Sequence, residues 1–415
     1  MTKRVVITGL GILSSIGNSF DEITQSLQSG KSGVVKMPEW EALGIKSCLA
    51  GNIKNLDEKL ASSGISKKLI NCMSEAAVFC TLAAQDALKD ANIQEPEIQD
   101  REIACFVGSG VSSTETIYKG SDFLFHDNIK KISPYTITKS MSSSCSAAIT
   151  NTFRLTGRSY SISSACATAA HNIGHAYEMI KSGMLDIVIA GGGEEITPIT
   201  AGGFMAMRMA LSTAHTERPE EASRPYDRNR DGFIMSGGAG ILILEELESA
   251  KRRNAKIYGE IIGYAANADG HDMIMPEPNG LQTGKCIKNV LTNANIKPED
   301  VDYINTHGTS TVIGDIAELK AIKIAFGDKI PDISSTKSMT GHPIAAAGGI
   351  ETIFCLSMLQ NQFIAPSINV FELSDECKEF PIVTKKKDKR LDIVLNNSFG
   401  FGGTNASIVL KRFKD

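Results

Sequence analysis

No stretch of 18 consecutive apolar residues occurs anywhere in the chain, which excludes a membrane-spanning helix. Paired CxxC motifs are missing too. The nine cysteines are scattered at positions 48, 72, 80, 105, 145, 166, 286, 355 and 377, a spacing that fits a reducing cytoplasm rather than a disulfide framework. Charge of one sign is also lacking. With 43 Lys and Arg against 47 Asp and Glu, the net charge is −4, so no general affinity for nucleic acid is expected and an acidic partner would need a local basic patch. The first residues, MTKRVVITGLGIL, read as a β-strand and carry no secretory hydrophobic region. There is no low-complexity segment.

What is present is ordinary for a globular protein: 415 residues, 42% hydrophobic and 22% charged, enough for a large core and two domain-sized halves. Short Val/Ile-rich runs alternate with longer helical patterns. Strands are predicted at Arg4–Thr8, Ile103–Gly108, Tyr160–Ser163, Ile187–Ala190, Ala239–Leu244, Ile257–Ala265, Tyr303–Asn305 and Ile393–Asn396. Helices are predicted at Ser74–Ala91, Cys166–Ser182, Leu281–Ala294, Asp315–Phe326 and Ala345–Leu359. Alternation of this kind gives α/β layers, and unbroken apolar runs suit strands covered on both faces. The charged stretch Glu245–Asn254 is the expected join between halves 1–250 and 251–415. KKKDKR at Lys385–Arg390 reads as a solvated loop.

Three local signals fail. TGLGILSSIG has Ser14 where a dinucleotide fingerprint needs glycine, GKS at 30–32 follows Gln25 rather than a Walker glycine, and HNIGH lacks the glutamate of a zinc-protease helix. His171 and His175 are therefore read as structural.

The segment YSISSACATAAHNIGHAYEMIKSG is more informative. A β-type run passes through small residues to Cys166 at the start of an apolar helix, with Gly183 as its stop. Free N–H groups and the helix dipole there are expected to lower the thiol's pKa. An isolated cysteine is more often plain core, so Cys166 alone leaves function open. Two further segments shift the balance: VDYINTHGTSTVIGDIAE, with His307, Thr309 and Thr311, and SSTKSMTGHPIAAAGGIE, with Lys337 and His342. Both histidines sit in Gly/Thr/Ser loops after predicted strands, where α/β sheets collect ligands. Asp315 and Glu318 fit a helix capping box equally well. Two neutral imidazole donors can hold a thioester carbonyl while its α-carbon becomes an enolate after loss of CO₂, and an acylated thiol supplies the electrophile.

At these residues the chain resembles the β-ketoacyl-acyl carrier protein synthases of the thiolase-like superfamily. The resemblance runs end to end through ITGLGILSSIG, SSACATAAH, AGGGEE, RPYDRNRDGF, both histidine segments and NSFGFGGTN. YSISSACATAAH followed by DIVIAGGGEE looks most like the type I bacterial elongation enzymes, with type II synthases and polyketide ketosynthases as alternatives. A coenzyme A thiolase is less similar, because NSFGFGG offers no second cysteine. A non-condensing chain-length factor would lack Cys166.

The resemblance implies a five-layered αβαβα fold of two similar halves, a homodimer, and acyl- and malonyl-loaded acyl carrier protein as partner, with no cofactor. It implies Cys166 as nucleophile, His307 and His342 as catalytic histidines, and Lys337 as the cation that orients its neighbours and holds His342. Thr309 and Thr311 would line the phosphopantetheine tunnel. The amides of Cys166 and Phe401 would form the oxyanion hole, with Phe401 as gate and Val111 on the acyl tunnel. Asn305, Glu351, Asn396 and Asn397 would form a polar cluster able to hold a monovalent cation. Lys67, Lys68 and Lys130 are the expected carrier contacts. Ala345 replaces the usual glycine three residues after the second histidine, and Asn71 a common basic residue.

Overall fold

The computed structural model describes residues 2–94, 98, 101–126, 128–208 and 210–414. Among these, ten strands form one mixed sheet: β1 Val5–Leu13, β2 Ala104–Gly108, β3 Ser159–Tyr160, β4 Ile187–Glu194, β5 Gly238–Glu246, β6 Gly259–Ala268, β7 Tyr303–Asn305, β8 Asp332–Ser334, β9 Ile393–Gly400 and β10 Thr404–Lys411. Their spatial order is β8-β7-β9-β10-β6-β1-β5-β4-β2-β3. Read outward from the β1–β6 seam, each half repeats the same order, so the two halves share one topology. The seam is a short antiparallel pairing of Val5, Val6 and Ile7 with Ile261, Glu260 and Gly259.

Six helices cover these strands: α1 Glu75–Asp90, α2 Ser144–Phe153, α3 Thr168–Lys181, α4 Leu281–Asn293, α5 Val312–Phe326 and α6 Ala347–Asn361. Helices α1 and α2 lie outside the first half-sheet, and α4 packs outside the second with α5 beside it. Helices α3 and α6 touch each other and strands of both halves. They form the middle of five layers, α/β/α/β/α, in a thiolase-like arrangement.

Alternation along the strands explains the unbroken apolar runs. On β5, Leu242 and Leu244 join the central core, while Ile241 and Ile243 face the outer core with α1. On β9, Val394 points to the central core and Leu395 to the outer core of the second half. Each face of each strand meets a helix layer, so both side-chain sets are apolar. Helix α6 is buried along every residue from Ala347 to Leu359, as a helix between two half-sheets must be.

The predicted elements match with shifts that have local causes. A single 3-10 turn, Ala165–Ala167, precedes α3, and another, Ile344–Ala346, precedes α6, so both helices begin later than predicted. Gly183 at φ 78 stops α3 as expected. Strand β9 runs on through the polar NSFG because its partner β10, which was not predicted, pairs along its whole length. β3 is only Ser159–Tyr160 rather than Tyr160–Ser163, because the chain leaves the sheet edge there to reach the elbow. The helix Thr114–His126 buries no side chain in this chain, so it lacks a core-facing pattern from which to predict it.

Backbone contact between the layers sets one test. A Cβ on Gly349 of α6 would sit 2.3 Å from the Gly240 carbonyl oxygen of β5. Gly349→Ala should lower stability by about 3 kcal/mol, because strand or helix must shift to admit the methyl. Gly202→Ala, whose Cβ would meet nothing within 4 Å, serves as the control. Thermal melts of both variants decide the matter, and equal midpoints would contradict the described packing.

Candidate active site

The parallel strands of both halves direct their C-terminal ends towards one cleft of about 170 Å³, lined by Cys166, His307, His342, Thr309, Thr311 and Phe401, among others. The elbow that presents Cys166 is held by its own neighbours. Ser161 Oγ donates to the Val107 carbonyl at 2.6 Å and Ser163 Oγ to the Ser109 carbonyl at 2.9 Å. Asn172 clamps Ile162 by both backbone groups. His171 Nδ1 pairs with Ser164 Oγ at 2.6 Å, while His175 Nε2 pairs with Tyr160 Oη at 2.8 Å. These histidines have separate partners and are structural. Ala165 adopts φ 48, an unfavourable left-handed conformation that swings the sulfur into the cleft.

The expectation of a lowered thiol pKa is corrected here. Cys166 is 7% exposed, and burial pushes its thiol up to about 12. The Lys337 ammonium and the amides of Phe401 and Cys166, both directed at the thiol, pull the other way, and Glu194 adds to the rise. Desolvation outweighs the helix end because the sulfur lies in a nearly dry cleft. The two amides converge as an oxyanion hole requires. Gly400 permits this approach, since a Cβ there would lie 3.0 Å from the Cys166 nitrogen.

His307 follows β7 and His342 follows β8, with a short helix Lys337–Thr340 between β8 and His342. Their rings lie 5.2 Å apart at 88°. The Nδ1 atom of each is buried without a hydrogen-bond partner, which leaves Nε2 as the nitrogen turned to the cleft. Burial first, then the Lys337 charge, lowers both pKa values well below the usual 6.5, so both imidazoles are neutral around pH 7.

The capping-box reading of Asp315 and Glu318 does not hold. Glu318 accepts the amides of His307 at 2.8 Å and Gly308 at 2.7 Å, and Asp315 accepts those of Ser310 and Tyr226 and pairs with Arg230. Both carboxylates of α5 therefore hold the loop that carries His307. Local spacing is the same for a cap and for this clamp, and only the loop's return across the helix decides between them. RPYDRNRDGF was the available signal, since it supplies Tyr226 and Arg230.

Lys337 is fully buried, but its Nζ donates to Glu351 Oε1 at 2.5 Å and makes no hydrogen bond to His342, so it acts on the histidines through its field. The proposed cation cluster does not converge either. Asn305 Nδ2 donates to Asn396 Oδ1, and Asn396 reaches the α6 backbone and Thr352. Asn397 points to the other face of β9, donating to Glu318 and accepting from Ser407. Adjacent strand residues cannot share a face. Because Asn397 faces away from the other three, the four residues do not form a single cation site, and no group of three or more His, Cys, Asp and Glu among the described residues could hold a metal ion.

Thr309 and Thr311 line the cleft and bond to each other at 3.1 Å. Phe401 sits at the β9–β10 turn, 6.0 Å from the Phe204 ring. Val111 is 45% exposed in the single chain and is not among the residues lining this cleft, while Glu194 ties the preceding Ser109 and Gly110 inward. Lys67, Lys68 and Lys130 are exposed, on segments that meet where Thr138 Oγ1 donates to the Cys72 carbonyl.

Comparison with known proteins agrees with this geometry. Residues 2–250 match the beta-ketoacyl synthase N-terminal domain, and residues 258–371 the C-terminal domain. The chain is 46% identical to the 3-oxoacyl-[acyl-carrier-protein] synthase 1 of Haemophilus influenzae, covering 99% of both chains. A beta-ketoacyl synthase from Burkholderia phymatum superposes with a TM-score of 0.93 at 31% identity, over 99% of this chain and 100% of that one. A type II polyketide ketosynthase solved with its acyl-carrier protein superposes at 0.91 and 31%, over the full length of both.

The buried ion pair generates the second test. Lys337→Met leaves the Glu351 carboxylate buried and unpaired, which should cost about 3 kcal/mol or more. Adding Glu351→Leu should recover most of that loss. Chemical denaturation of both variants checks this, and a single variant as stable as the parent would contradict the pairing.

Proposed function

The chain belongs to the beta-ketoacyl synthase family, and we propose that it is a 3-oxoacyl-[acyl-carrier-protein] synthase that elongates fatty acyl chains by two carbons, of the type I kind. The observation that carries this reading is one cleft joining a thiol, two converging amides and two neutral imidazoles, in a chain 46% identical to a synthase 1.

In the first half-reaction the Cys166 sulfur attacks the acyl thioester of acyl-carrier protein. The amides of Cys166 and Phe401 hold the tetrahedral oxyanion, the carrier thiol leaves, and the cysteine proton passes to it. The burial of Cys166 means that its proton must leave as substrate arrives. In the second half-reaction, malonyl-carrier protein loses CO₂, and the electron pair moves into an enolate whose oxygen is held by the N–H groups of His307 and His342. The enolate carbon attacks the acyl carbon on Cys166, forming the C–C bond and breaking the C–S bond. The thiolate then takes a proton from water. Neutral histidines suit this role, since each then has one donor and no need to shed a proton first. Lys337 favours thiolate over thiol and keeps both imidazoles uncharged.

Thr309 and Thr311 bind the pantetheine arm in this reading, and Phe401 gates it. Lys67, Lys68 and Lys130 form a basic surface for an acidic carrier protein despite the net charge of −4. The ketosynthase neighbour solved with its acyl-carrier protein supports that class of partner. A homodimer is supported by two features. β3 is an exposed sheet edge, and residues 111–125 leave Val111, Ile117, Tyr118, Leu124 and Phe125 uncovered. We assign the nucleophile to residues 1–250 and the two catalytic histidines to residues 251–415, in the cytoplasm. No helix among the described residues is long and apolar enough to cross a membrane.

The test separates the two half-reactions. With acyl-carrier protein, mass spectrometry should find the acyl adduct on the Cys166 peptide and none in Cys166→Ser. His307→Ala and His342→Ala should still acylate but lose on the order of 10²–10³ in decarboxylation. An adduct on another cysteine, or decarboxylation within a few-fold of normal in both histidine variants, would overturn the assignment.

A further inference from the structure

Glu194, the first glutamate of AGGGEE, ends β4. Glu194 is 1% exposed, and its carboxylate joins two segments, Ser109–Gly110 and the turn at Ala345. Oε1 accepts from Ser109 Oγ at 2.8 Å, and Oε2 from the Gly110 amide at 2.9 Å. The Ala345 amide, in the turn behind His342, donates to the same carboxylate. The Ser109 carbonyl in turn receives Ser163 Oγ from the Cys166 elbow. Gly110 is matched to this clasp, because a Cβ there would lie 2.7 Å from Glu194 Oε2.

The clasp also has an electrostatic side. The Glu194 charge opposes ionisation of Cys166, while Lys337 favours it. The other titratable groups facing Glu194 are Glu195, the residue just past its strand, and Cys80 on α1. Burial, the largest influence, raises the Glu194 carboxyl to about 7, against the pull of its three donors.

Taking the condensing reading above as given, we propose that Glu194 is a positioning residue for Cys166. It fastens the floor of the elbow to the turn behind His342 and sets a negative charge against formation of the thiolate. Protonating Glu194 releases that opposition while leaving the clasp in place, since a serine hydroxyl can accept as well as donate. Glutamine can keep the same contacts by donating to Ser109 and accepting from Gly110.

Alkylation of Cys166 by iodoacetamide in the free enzyme, followed by peptide mass across pH 5.5–9, tests this without any carrier protein. A failure here therefore leaves the condensing reading standing, and loss of condensation does not touch it. An isolated thiol should alkylate about tenfold faster per pH unit below its pKa. The parent should rise more slowly near pH 7, where Glu194 ionises and its charge lifts the thiol pKa. Glu194→Gln should restore the even rise and alkylate about tenfold faster at pH 8. A Glu194→Gln profile that overlays the parent at an equal melting midpoint would overturn the proposal. Should that variant fail to fold, Ser109→Ala removes one donor and should move the flattened region to higher pH, and an unmoved region would overturn the proposal equally.

Discussion

The side chains of Lys337 and Glu351 are only 0% and 1% exposed, and the charge they carry reaches every reactive group of the cleft. A lone ammonium in that position would be untenable, so the carboxylate of α6 makes the cation possible. From there the ammonium pulls the Cys166 thiol down against its burial and pushes both imidazoles down with theirs. Desolvation alone would leave a cysteine that resists ionisation. The same desolvation keeps the histidines neutral, which the chemistry requires. One buried cation thus helps both halves of the reaction, at the price of a partner that cannot be removed alone.

The position of that pair follows from the repeated topology. Each half runs the same strand order and ends in the same device: a left-handed residue, a 3-10 turn, and a helix buried between the sheets. In the first half the device is Ala165 at φ 48 ahead of α3, and in the second it is Ile344 at φ 42 ahead of α6. A β-branched residue at positive φ is a strained choice, held by surrounding packing. By this correspondence Ala345 stands where the first half has Cys166. One half keeps the nucleophile at its turn, and the other uses the preceding loops for Lys337 and His342. Glycine contacts such as Gly349 on Gly240 let the central helices press against strand backbone and fix the distance between the two turns.

Much of this was legible in the sequence. Runs such as IVIA and ILIL announce strands covered on both sides, and the small residues around Cys166 announce a tight elbow. Both cleft histidines stood in loops after short strands, where the fold does place them. What stayed hidden depends on long-range partners. Asp315 and Glu318 look like a helix cap from local spacing, and only the folded loop shows them holding His307. Asn396 and Asn397 read as one cluster until β9 turns them to opposite faces. The β10 strand was overlooked because the pattern before it is a glycine-rich turn. The thiol was misjudged because a helix terminus is visible in sequence while the dryness of a cleft is not.

The most direct measurement is the stoichiometry of a single turnover. Enzyme first acylated on Cys166 and freed of excess donor would be mixed with malonyl-carrier protein labelled at the free carboxyl carbon. One labelled CO₂ should appear for each 3-oxoacyl-carrier protein formed, with product mass two carbons beyond the starting acyl chain and Cys166 returned free. Release of CO₂ with the acyl group still on Cys166, or a longer product formed with the label retained, would contradict the account.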